Sequence, residues 1–350
     1  MIRFRSIVPL LFTALIAPAC GGASNDAASA DPAEAAVTTD TTGLGFGASS
    51  TRTLPGTYFP ESINSAPDGT LFTGNPTTGE IVKFAPYSSQ AVTFVPPGIT
   101  KGSFGMAVDA VRRFLWVCDV DTTPAATGSS LKAFRLADGG LAHSYPLPTG
   151  GGCADIAIGR DLTLYVTDTY LGTIMRLRSP DAQLEASWCT DPRFSTHTDP
   201  KDPLVLNGIA YASDGFREYL FSNKRDSGEI FRVRIDVQGQ CTDATKIALD
   251  APLVFSDGIR ALDKDTLLVA VNASSAAAVA AGGPILGSLL RATLHGDAGH
   301  VEVIDDQLDQ PTSLAIVGRD AWVSEGQILR LTGVDLTPPT LPFKIRRIHL

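Results

Sequence analysis

A short motif that recurs along the chain constrains its fold more than any other feature. It reads approximately Gly-x-Ile-x-Arg-Leu/Val and occurs in four clear and two weaker copies, at a spacing of roughly 40–60 residues. The copies begin at Gly79, Ser129, Gly172, Gly228, Gly287 and Gly326. A short apolar strand, a turn and a second apolar strand precede each copy, and a variable fourth strand follows where there is room. The repeat therefore predicts six four-stranded antiparallel units.

Six such units predict an all-β fold, a six-bladed β-propeller with four-stranded antiparallel blades. A parallel α/β fold would need helical periods between the strands, which are absent, and a sandwich would not repeat so regularly. The ring must close or expose strand edges, yet the last unit is short. We therefore expect residues 51–59 or the terminal sequence FKIRRIHL to supply an outer strand of the last blade.

The N-terminal sequence predicts export. Residues 1–19 contain two arginines, then an apolar run too short for a membrane span, then small residues before Cys20. The favoured interpretation is a bacterial cell-envelope lipoprotein, with Cys20 acylated and this lipid anchor as the only membrane contact. Ordinary signal-peptidase cleavage, giving a secreted or periplasmic soluble protein, is the alternative. Residues 20–50 are small and polar, which predicts a disordered tether before a propeller at residues 51–350.

Four further cysteines remain after Cys20. No Cys-x-x-Cys or Cys/His cluster occurs, and export implies an oxidising compartment, so disulfides are favoured over a zinc site. Four cysteines allow three pairings. Of these we favour Cys118–Cys153 and Cys189–Cys241, each joining neighbouring repeats.

The balance of acidic and basic residues argues against one class of binding partner. The chain has 37 acidic and 28 basic residues and a formal net charge of −9. A nucleic-acid partner would need a basic face, so we expect none. The balance is compatible with a cation site, and we expect a monomer that meets a small-molecule substrate or ligand.

One register position opens the first strand of every unit and should line the central channel. Side chains two residues apart share a face of a strand, so this position predicts a ring at one mouth of the channel. The ring consists of Glu61, Phe104, Ala154, Asn207, Asp257 and Thr312. Oxygen atoms of Glu61, Asn207 and Asp257 suit Ca²⁺ or another divalent cation, with waters and carbonyls completing the shell. The alternative is that each residue caps a strand or meets a buried water.

A second polar ring is expected where the second strand of each unit ends, further from the axis. It consists of Asn75, Asp119, Asp168, Asn223, Asn272 and Glu325. Asn and Asp are also common at strand ends for local reasons. The candidates for a shallow pocket around the ion are Phe104, Ala154, Asp168, Tyr170, Asn223, Asn272 and Thr312. Phe104 and Tyr170 would form its apolar wall, although Tyr170 also fits an exposed loop.

Four motifs carry a family resemblance: FPESINSAPDGTLF, CADIAIGRDLTLYVTD, LNGIAYASDGFREYLFSN and FSDGIRALDKDTLLVA. They resemble the calcium-dependent six-bladed propeller hydrolases, which comprise regucalcin-type gluconolactonases, paraoxonases and diisopropylfluorophosphatase. The resemblance covers most of the chain from about residue 59 to residue 331. It implies that Glu61, Asn207 and Asp257 bind a catalytic calcium ion.

The sequence departs from the family pattern at two ring positions. The third blade of the family usually offers Asn-Asp, but this chain has Ala154 followed by Asp155. Asp155 is a possible metal ligand or outer partner of the metal, although a regular pleat would turn it away from the axis. Phe104 stands where paraoxonases place a His, so the gluconolactonase type fits better.

Two functions follow. The first is a lactonase or related ester hydrolase in which calcium polarises the carbonyl and Asp257, or a water it holds, acts as general base. The second is a non-catalytic envelope propeller with a degraded metal site, which Phe104 and Ala154 favour. The loop at residues 271–287 would cover or block the mouth, or close over a substrate. No Gly-x-Ser-x-Gly motif supports a serine hydrolase.

Overall fold

The structure, a computed structural model, describes residues 50–122, 128–198, 202–274, 279–280 and 285–350. The predicted signal peptide, Cys20 and nearly all of the predicted tether lie outside the described residues. Parts of the loop at residues 271–287 do so as well. Regular structure in the described residues is almost entirely β, and it includes the single-turn helices α1 (Pro192–Ser195) and α2 (Ile328–Leu331). No helix in the described part of the chain is long and apolar enough to cross a membrane.

In the first five repeats the strands follow the predicted order in groups of four. In the sixth, the motif copy that begins at Gly326 runs into helix α2 instead of forming the third strand. The first group is β2 (Ser62–Ser65), β3 (Leu71–Gly74), β4 (Ile81–Phe84) and β5 (Ala91–Val95). The second is β6 (Ser103–Asp109), β7 (Phe114–Asp119), β8 (Ser130–Arg135) and β9 (Leu141–Pro146). The third is β10 (Cys153–Ile158), β11 (Leu164–Asp168), β12 (Thr173–Leu177) and β13 (Glu185–Thr190). We call these groups units 1 to 3.

Units 4 to 6 complete the series. Unit 4 is β14 (Leu206–Ser213), β15 (Glu218–Lys224), β16 (Ile230–Ile235) and β17 (Cys241–Leu249). Unit 5 is β18 (Ser256–Asp263), β19 (Thr266–Val271), β20 (Gly287–His295) and β21 (Ala298–Leu308). Unit 6 is β22 (Ser313–Val317), β23 (Asp320–Glu325), β24 (Lys344–His349) and β1 (Thr51–Thr53).

The described strands form five sheets rather than the six separate blades that the repeat predicts. Units 1, 2, 3 and 6 are four-stranded sheets, whereas units 4 and 5 share one eight-stranded sheet. The two are joined because the outer strands β17 and β21 pair in parallel over two residue pairs, Ala248 with Ala298 and Leu249 with Gly299. The all-β, propeller-like arrangement is confirmed, and the difference lies in this short outer contact.

Both chain segments expected at the closure take part in it. Strand β24 pairs antiparallel with β23, and β1 pairs with the outer edge of β24, so unit 6 combines the two ends of the described chain. Ile345 of β24 is fully buried between units 6 and 1, where it packs beside Phe343, Trp322 and Phe84. Without β24 and β1, the outer edge of β23 would stay unpaired.

The apolar core lies between consecutive units rather than in one central mass. Six clusters occupy the six junctions, including the junction of unit 6 with unit 1. Between units 2 and 3, for example, Trp116 of β7 packs with Val166 of β11 and Met175 of β12, and all three are fully buried. Alternation along each strand sends one set of side chains to each neighbour, because successive residues point to opposite faces. Each unit is thereby held from both sides around a common axis.

The predicted disulfides are both present. Cys118 of unit 2 joins Cys153 of unit 3 with Cα atoms 5.2 Å apart. Cys189 of unit 3 joins Cys241 of unit 4 with Cα atoms 5.5 Å apart. Each bond links neighbouring units, as the repeat implied, and two disulfides are typical of a protein outside the cytoplasm.

We expect Ile345→Ala to lower the free energy of unfolding by about 2–5 kcal/mol, because it empties a buried site at the ring closure. Lys344→Ala on the same strand is the matched control and should change this free energy by less than about 0.5 kcal/mol, since Lys344 is exposed. Urea unfolding followed by circular dichroism measures both. Equal effects of the two substitutions would contradict a core-forming role for β24.

Candidate metal centre and active site

The ring position is set by a β-bulge in four of the six inner strands. In β6, β10, β14 and β18 the pairing with the next strand slips by one residue just after the strand begins. In β14, for example, Leu206 pairs with Lys224 but Ile209 pairs with Ser222, so one residue of β14 has no counterpart. A bulge re-aims the side chains at the irregularity. Phe104, Ala154, Asn207 and Asp257 all lie at this irregularity.

Glycine follows the ring residue in β6, β14 and β18 because the inner strands nearly touch there. A Cβ added to Gly208 would lie 2.4 Å from the carbonyl oxygen of Asp257 in the next unit. A Cβ added to Gly258 would lie 2.8 Å from Cα of Ser313, again in the next unit. Asn-Gly and Asp-Gly are therefore not turn signals here. The glycine permits close packing around the axis while the preceding residue carries the polar group.

The bulges bring most of the ring together around one small axial cavity. The volume of this cavity is about 10 Å³. The predicted ring residues that line it are Glu61, Ala154, Asn207, Asp257 and Thr312. A cavity of this size holds about one water molecule or ion. The three predicted metal ligands therefore converge, whereas Phe104 is not among the lining residues.

Glu61 carries an unpartnered buried oxygen at this cavity. The residue as a whole is half-buried, but its Oε2 atom is buried and accepts no hydrogen bond. Burial raises the pKa of Glu61 well above its usual range, and the charges of Asp257 and Asp155 raise it further, while Arg260 lowers it. An ionised carboxylate in such a place needs a positive partner, since an uncompensated buried charge is costly.

Asp257 faces the same cavity and is held by two asparagines of neighbouring strands. Asn272 donates from Nδ2 to Asp257 Oδ2 at 3.0 Å and to the carbonyl of Pro311 at 2.7 Å. Asn223 donates from Nδ2 to the Asp257 carbonyl at 3.0 Å. Burial raises the pKa of Asp257 to about 6, against the lowering effects of Arg225, Asn272 and Asn207. The side chain is thus fixed in orientation, and it holds its proton more tightly than an exposed aspartate does.

Asp155 lies where the other bulges have glycine, and its side chain reaches the axis. It lines the axial cavity, accepts from Arg260 Nη1 at 2.7 Å and accepts from its neighbour Ile156 N at 2.9 Å. A regular pleat would turn this side chain away, but the bulge at residues 153–156 breaks the alternation. Because Arg260 occupies Oδ2, Asp155 is better placed as an outer partner of a cation than as a direct ligand.

The donor set fits a hard cation. Two carboxylates and one amide oxygen converge, and one carboxylate oxygen has no partner. Both carboxylates have raised pKa values in spite of the nearby arginines. Calcium takes six to eight oxygen ligands, so waters or carbonyls would have to supply the rest. Among the described residues, no three His, Cys, Asp or Glu side chains form a metal-binding group. The fit therefore depends on Asn207 as the third donor.

Two of the predicted pocket residues lie elsewhere. Asp168 caps its own loop, accepting through Oδ1 from the backbone N–H groups of Gly152, Tyr170 and Leu171. Tyr170 is 39 % exposed and does not line the axial cavity. These local contacts account for Asp168 Oδ1, because a short acidic side chain at a strand end satisfies loop donors, whereas its Oδ2 is buried without a hydrogen-bond partner. A place for either residue in a pocket over the mouth stays a prediction. Asn223 and Asn272 of the second ring do reach the site, through Asp257.

Two arginines of the site were not predicted. Arg225 is buried, forms an ion pair with Asp202 and donates to Asn272 Oδ1 at 3.3 Å. Arg260 pairs with Asp155 in the channel. The sequence held a signal for Arg260, since a charged residue interrupts the apolar part of an inner strand. Arg225 follows its strand directly and looks like an ordinary loop residue.

Comparisons with known proteins agree on the fold. No family profile and no curated protein sequence matches the chain. A gluconolactonase from Xanthomonas campestris matches in structure with a TM-score of 0.56 and 14 % identity, over 84 % of this chain and 87 % of that one. Regucalcin from Agrobacterium tumefaciens, a calcium-binding protein, matches with a TM-score of 0.54 and 16 % identity, over 83 % and 90 %.

A third match has a different chemistry. The PQQ-bound aldose sugar dehydrogenase from Streptomyces coelicolor matches with a TM-score of 0.54 and 14 % identity, over 85 % of this chain and 97 % of that one. At such identities these likenesses show a shared propeller-like fold and no shared activity. The resemblance to gluconolactonase and regucalcin is confirmed for the fold. Calcium dependence and the relation to paraoxonases stay predictions.

The raised pKa of Asp257 predicts a pH-dependent stability. The pKa of Asp257 rises from its ordinary value of 3.8 to about 6. The native state therefore holds this proton more tightly than the unfolded chain does. Its stabilising effect is complete below about pH 4 and is lost as the pH rises through about 6. Asp257→Asn cannot ionise. In chelator, it should raise the free energy of unfolding by up to about 3 kcal/mol at neutral pH and by little near pH 4.

The control for this experiment is Asp250→Asn. Asp250 is an exposed carboxylate whose pKa is lowered by its hydrogen bond with His300, so its replacement should not stabilise the protein at neutral pH. Urea titrations at several pH values measure both variants. A gain for Asp257→Asn that is the same at every pH would contradict the electrostatic explanation.

Proposed function

We propose that the chain is an exported, lipid-anchored, metal-dependent hydrolase of the gluconolactonase type, which opens a lactone or related ester with Ca²⁺ at the axial cavity. The observation that carries the proposal is the unpartnered Glu61 Oε2 beside Asp257 at the axis of a propeller-like fold. In this proposal the eight-stranded sheet counts as two blades, giving six. Several structural neighbours are enzymes, among them a gluconolactonase and a sugar dehydrogenase, which supports an enzymatic role.

Each residue has a role in the proposed reaction. Glu61, Asn207 and Asp257 would hold the cation, which when bound supplies Lewis-acid polarisation of the substrate carbonyl and charge for the developing oxyanion. Asp257, or a water that it holds, would accept the proton of the attacking water, because Asn272 holds its carboxylate in place at 3.0 Å. Arg225, through Asn272, keeps that carboxylate in place. The substrate would lie over the mouth, since the axial cavity itself admits only an ion.

The N-terminal part of the proposal concerns residues 1–50. Acylation of Cys20 and a tether at residues 20–50 would hold the propeller near the membrane of the cell envelope. The two disulfides, which suit an oxidising compartment, support export. Cleavage without acylation would give a secreted or periplasmic form of the same monomer.

A non-catalytic envelope propeller is the second candidate, and Ala154 and Phe104 favour it. Ala154 lines the axial cavity without offering an oxygen, and the Phe104 side chain offers none either. The cation would then be held by three side chains only, or the pair Glu61 and Asp257 would remain partly protonated. In this case a ligand or a protein would bind over the mouth without reaction.

Calcium titration calorimetry on the full-length chain, stripped with chelator, tests the metal site. We expect one cation per chain, with binding lost in Asp257→Asn and weakened at least about tenfold in Glu61→Gln, since each removes a charged ligand. Asp250→Asn should bind like the parent. A folded parent that produces no binding heat with Ca²⁺, Mg²⁺ or Mn²⁺ would overturn the metal-dependent proposal.

Hydrolysis of a lactone panel tests the reaction separately. We expect opening of at least one aldonolactone or alkyl lactone that stops in chelator, returns with Ca²⁺, and falls about 10²-fold or more in kcat in Asp257→Asn. Proton release followed with a pH indicator measures the rate. Tight cation binding with no lactone or ester hydrolysed would favour the non-catalytic alternative.

A further inference from the structure

The end of the ring opposite the axial mouth presents large apolar side chains at the tips of its turns. Each inner strand begins at the axial cavity, so the turns that follow the first and third strands of the units lie at the opposite end. We call this end the far face. Four of its turns carry Tyr87 (90 % exposed), Val111 (73 %), Phe216 (94 %) and Val237 (91 %). Among the described residues of the mouth side, only Leu336 (89 %) is comparably exposed, and the other large apolar side chains there are less than half exposed.

The local structure of these turns does not explain the apolar side chains. Turns favour Gly, Asn, Asp and Ser, whose side chains or backbone freedom suit the turn geometry. Tyr87 nevertheless adopts a φ of 61°, in the left-handed region where glycine is favoured and a bulky side chain is uncommon. Phe216 lies in a turn whose amides are already capped, because Asp214 Oδ1 accepts from the N–H groups of Phe216 and Arg217. Exposed apolar side chains gathered on one face are typical of a surface that binds a partner or a membrane.

Exposed arginines accompany the apolar side chains on the far face. The inner turns of units 2, 3, 4 and 6 each contribute one, and these are Arg113, Arg160, Arg217 and Arg319. Arg160 lies 3.7 Å from Glu218, whereas the other three form no salt bridge with any described residue. The acidic residues of these inner turns have local roles, since Asp68, Asp161, Asp214 and Asp263 each accept from an amide of their own turn. The arginines thus lack the internal contacts that explain the acidic residues.

The chain also enters unit 6 from the far face. Strand β24 ends at this face, because its last residue, His349, pairs with Asp320 at the start of β23. Strand β1 is antiparallel to β24, and Arg347 N donates to the carbonyl of Ser50 at 2.7 Å. β1 therefore runs from the far face toward the mouth side. In the proposed function the acylated Cys20 precedes this strand, so the anchor is joined to the ring at the far face.

We propose that the far face docks on a phospholipid membrane, with Val111 and Phe216 inserted among the lipid headgroups and the exposed arginines paired with lipid phosphates. Apolar tips distributed over three units suit a planar partner, whereas a protein partner would need one contiguous apolar core. Arginine pairs well with phosphate oxygens, and apolar side chains gain free energy when they leave water at a membrane interface. The inference rests on the proposed function for the lipid anchor, to which it adds a direct membrane contact. This orientation holds the axial mouth away from the membrane, open to a water-soluble substrate.

Vesicle co-sedimentation measures the docking separately from acylation. The protein is the full-length chain with Cys20→Ser, which cannot be acylated, and the vesicles consist of phosphatidylethanolamine and phosphatidylglycerol. We expect saturable binding that Phe216→Ser weakens about tenfold, because the variant buries less apolar area in the interface. Leu336→Ser is the matched control on the mouth side and should leave binding unchanged. Any contribution of residues 1–50 is the same in both variants.

A second pair of variants tests the arginines. Arg217→Gln should weaken vesicle binding about fivefold and reduce its dependence on salt, because one contact with a lipid phosphate is lost. Lys344→Gln is the control, since Lys344 is an exposed basic residue at the mouth end of β24. It should bind like the parent. All four variants change exposed side chains, so circular dichroism should show an unchanged fold.

Tryptophan fluorescence with brominated lipids tests which face meets the membrane. Phe216→Trp should add emission that shifts to the blue on binding and is quenched by the brominated chains, whereas Leu336→Trp should add emission that does neither. The buried Trp116 and Trp322 give the same background in both variants. Quenching at position 336 instead of position 216, equal weakening by Phe216→Ser and Leu336→Ser, or a parent that binds no vesicles would each overturn the proposal.

A second copy of the chain is the competing occupant of the far face. It would give a dimer in sedimentation equilibrium that Phe216→Ser dissociates, with no vesicle binding, and this result would also overturn membrane docking. Failure of the proposed function gives a different result. An intact chain that is not acylated at Cys20 by mass spectrometry, or that hydrolyses no lactone, would leave every vesicle measurement with Cys20→Ser unchanged.

Discussion

The close approach of the inner strands around the axis is the constraint on which the rest of the structure depends. At Gly208 and Gly258 there is no room for a Cβ between one unit and the next. Hydrogen bonds cross these junctions at the same level, from Gly258 N to the Thr312 carbonyl at 2.8 Å and from Asn223 Nδ2 to the Asp257 carbonyl at 3.0 Å. Four of the inner strands bulge at this level, and three of the bulges carry residues that line the axial cavity, Ala154, Asn207 and Asp257.

The candidate site therefore forms only when the ring of units closes, because no single sheet supplies all of its residues. Glu61, Asn207 and Asp257 come from three units, and each reaches the axis only because the others hold the ring at its final diameter. The ring is completed by β1 and β24, whose sequence gives no sign of chemistry. Substitutions at the closure should therefore affect cation binding as well as stability, because the distance between ligands is set by the packing of all units.

The sequence predicted the features that recur in every unit. It missed the features that occur in only one or two units. The repeat placed Glu61, Asn207 and Asp257 at one level, and that level is the axial cavity. The sequence named Asp155 as a candidate ligand or outer partner of the metal but did not explain how it reaches the axis, because strict alternation turns this side chain away and a single strand gives no sign of the bulge. The sequence also did not predict that units 4 and 5 share a sheet. A contact of only two residue pairs between outer strands leaves no pattern in the sequence. Asp168 matched the second ring in spacing, but the contacts of its Oδ1 atom are local.

The charges along the axis determine what the axial cavity can hold. Three carboxylates, Glu61, Asp155 and Asp257, lie near two guanidiniums, Arg225 and Arg260, but Arg225 also pairs with Asp202. Burial raises the pKa values of Glu61 and Asp257 in spite of these arginines. A divalent cation at the axial cavity would offset the negative charge that remains, and both pKa values should then fall, because a nearby positive charge favours the ionised carboxylate.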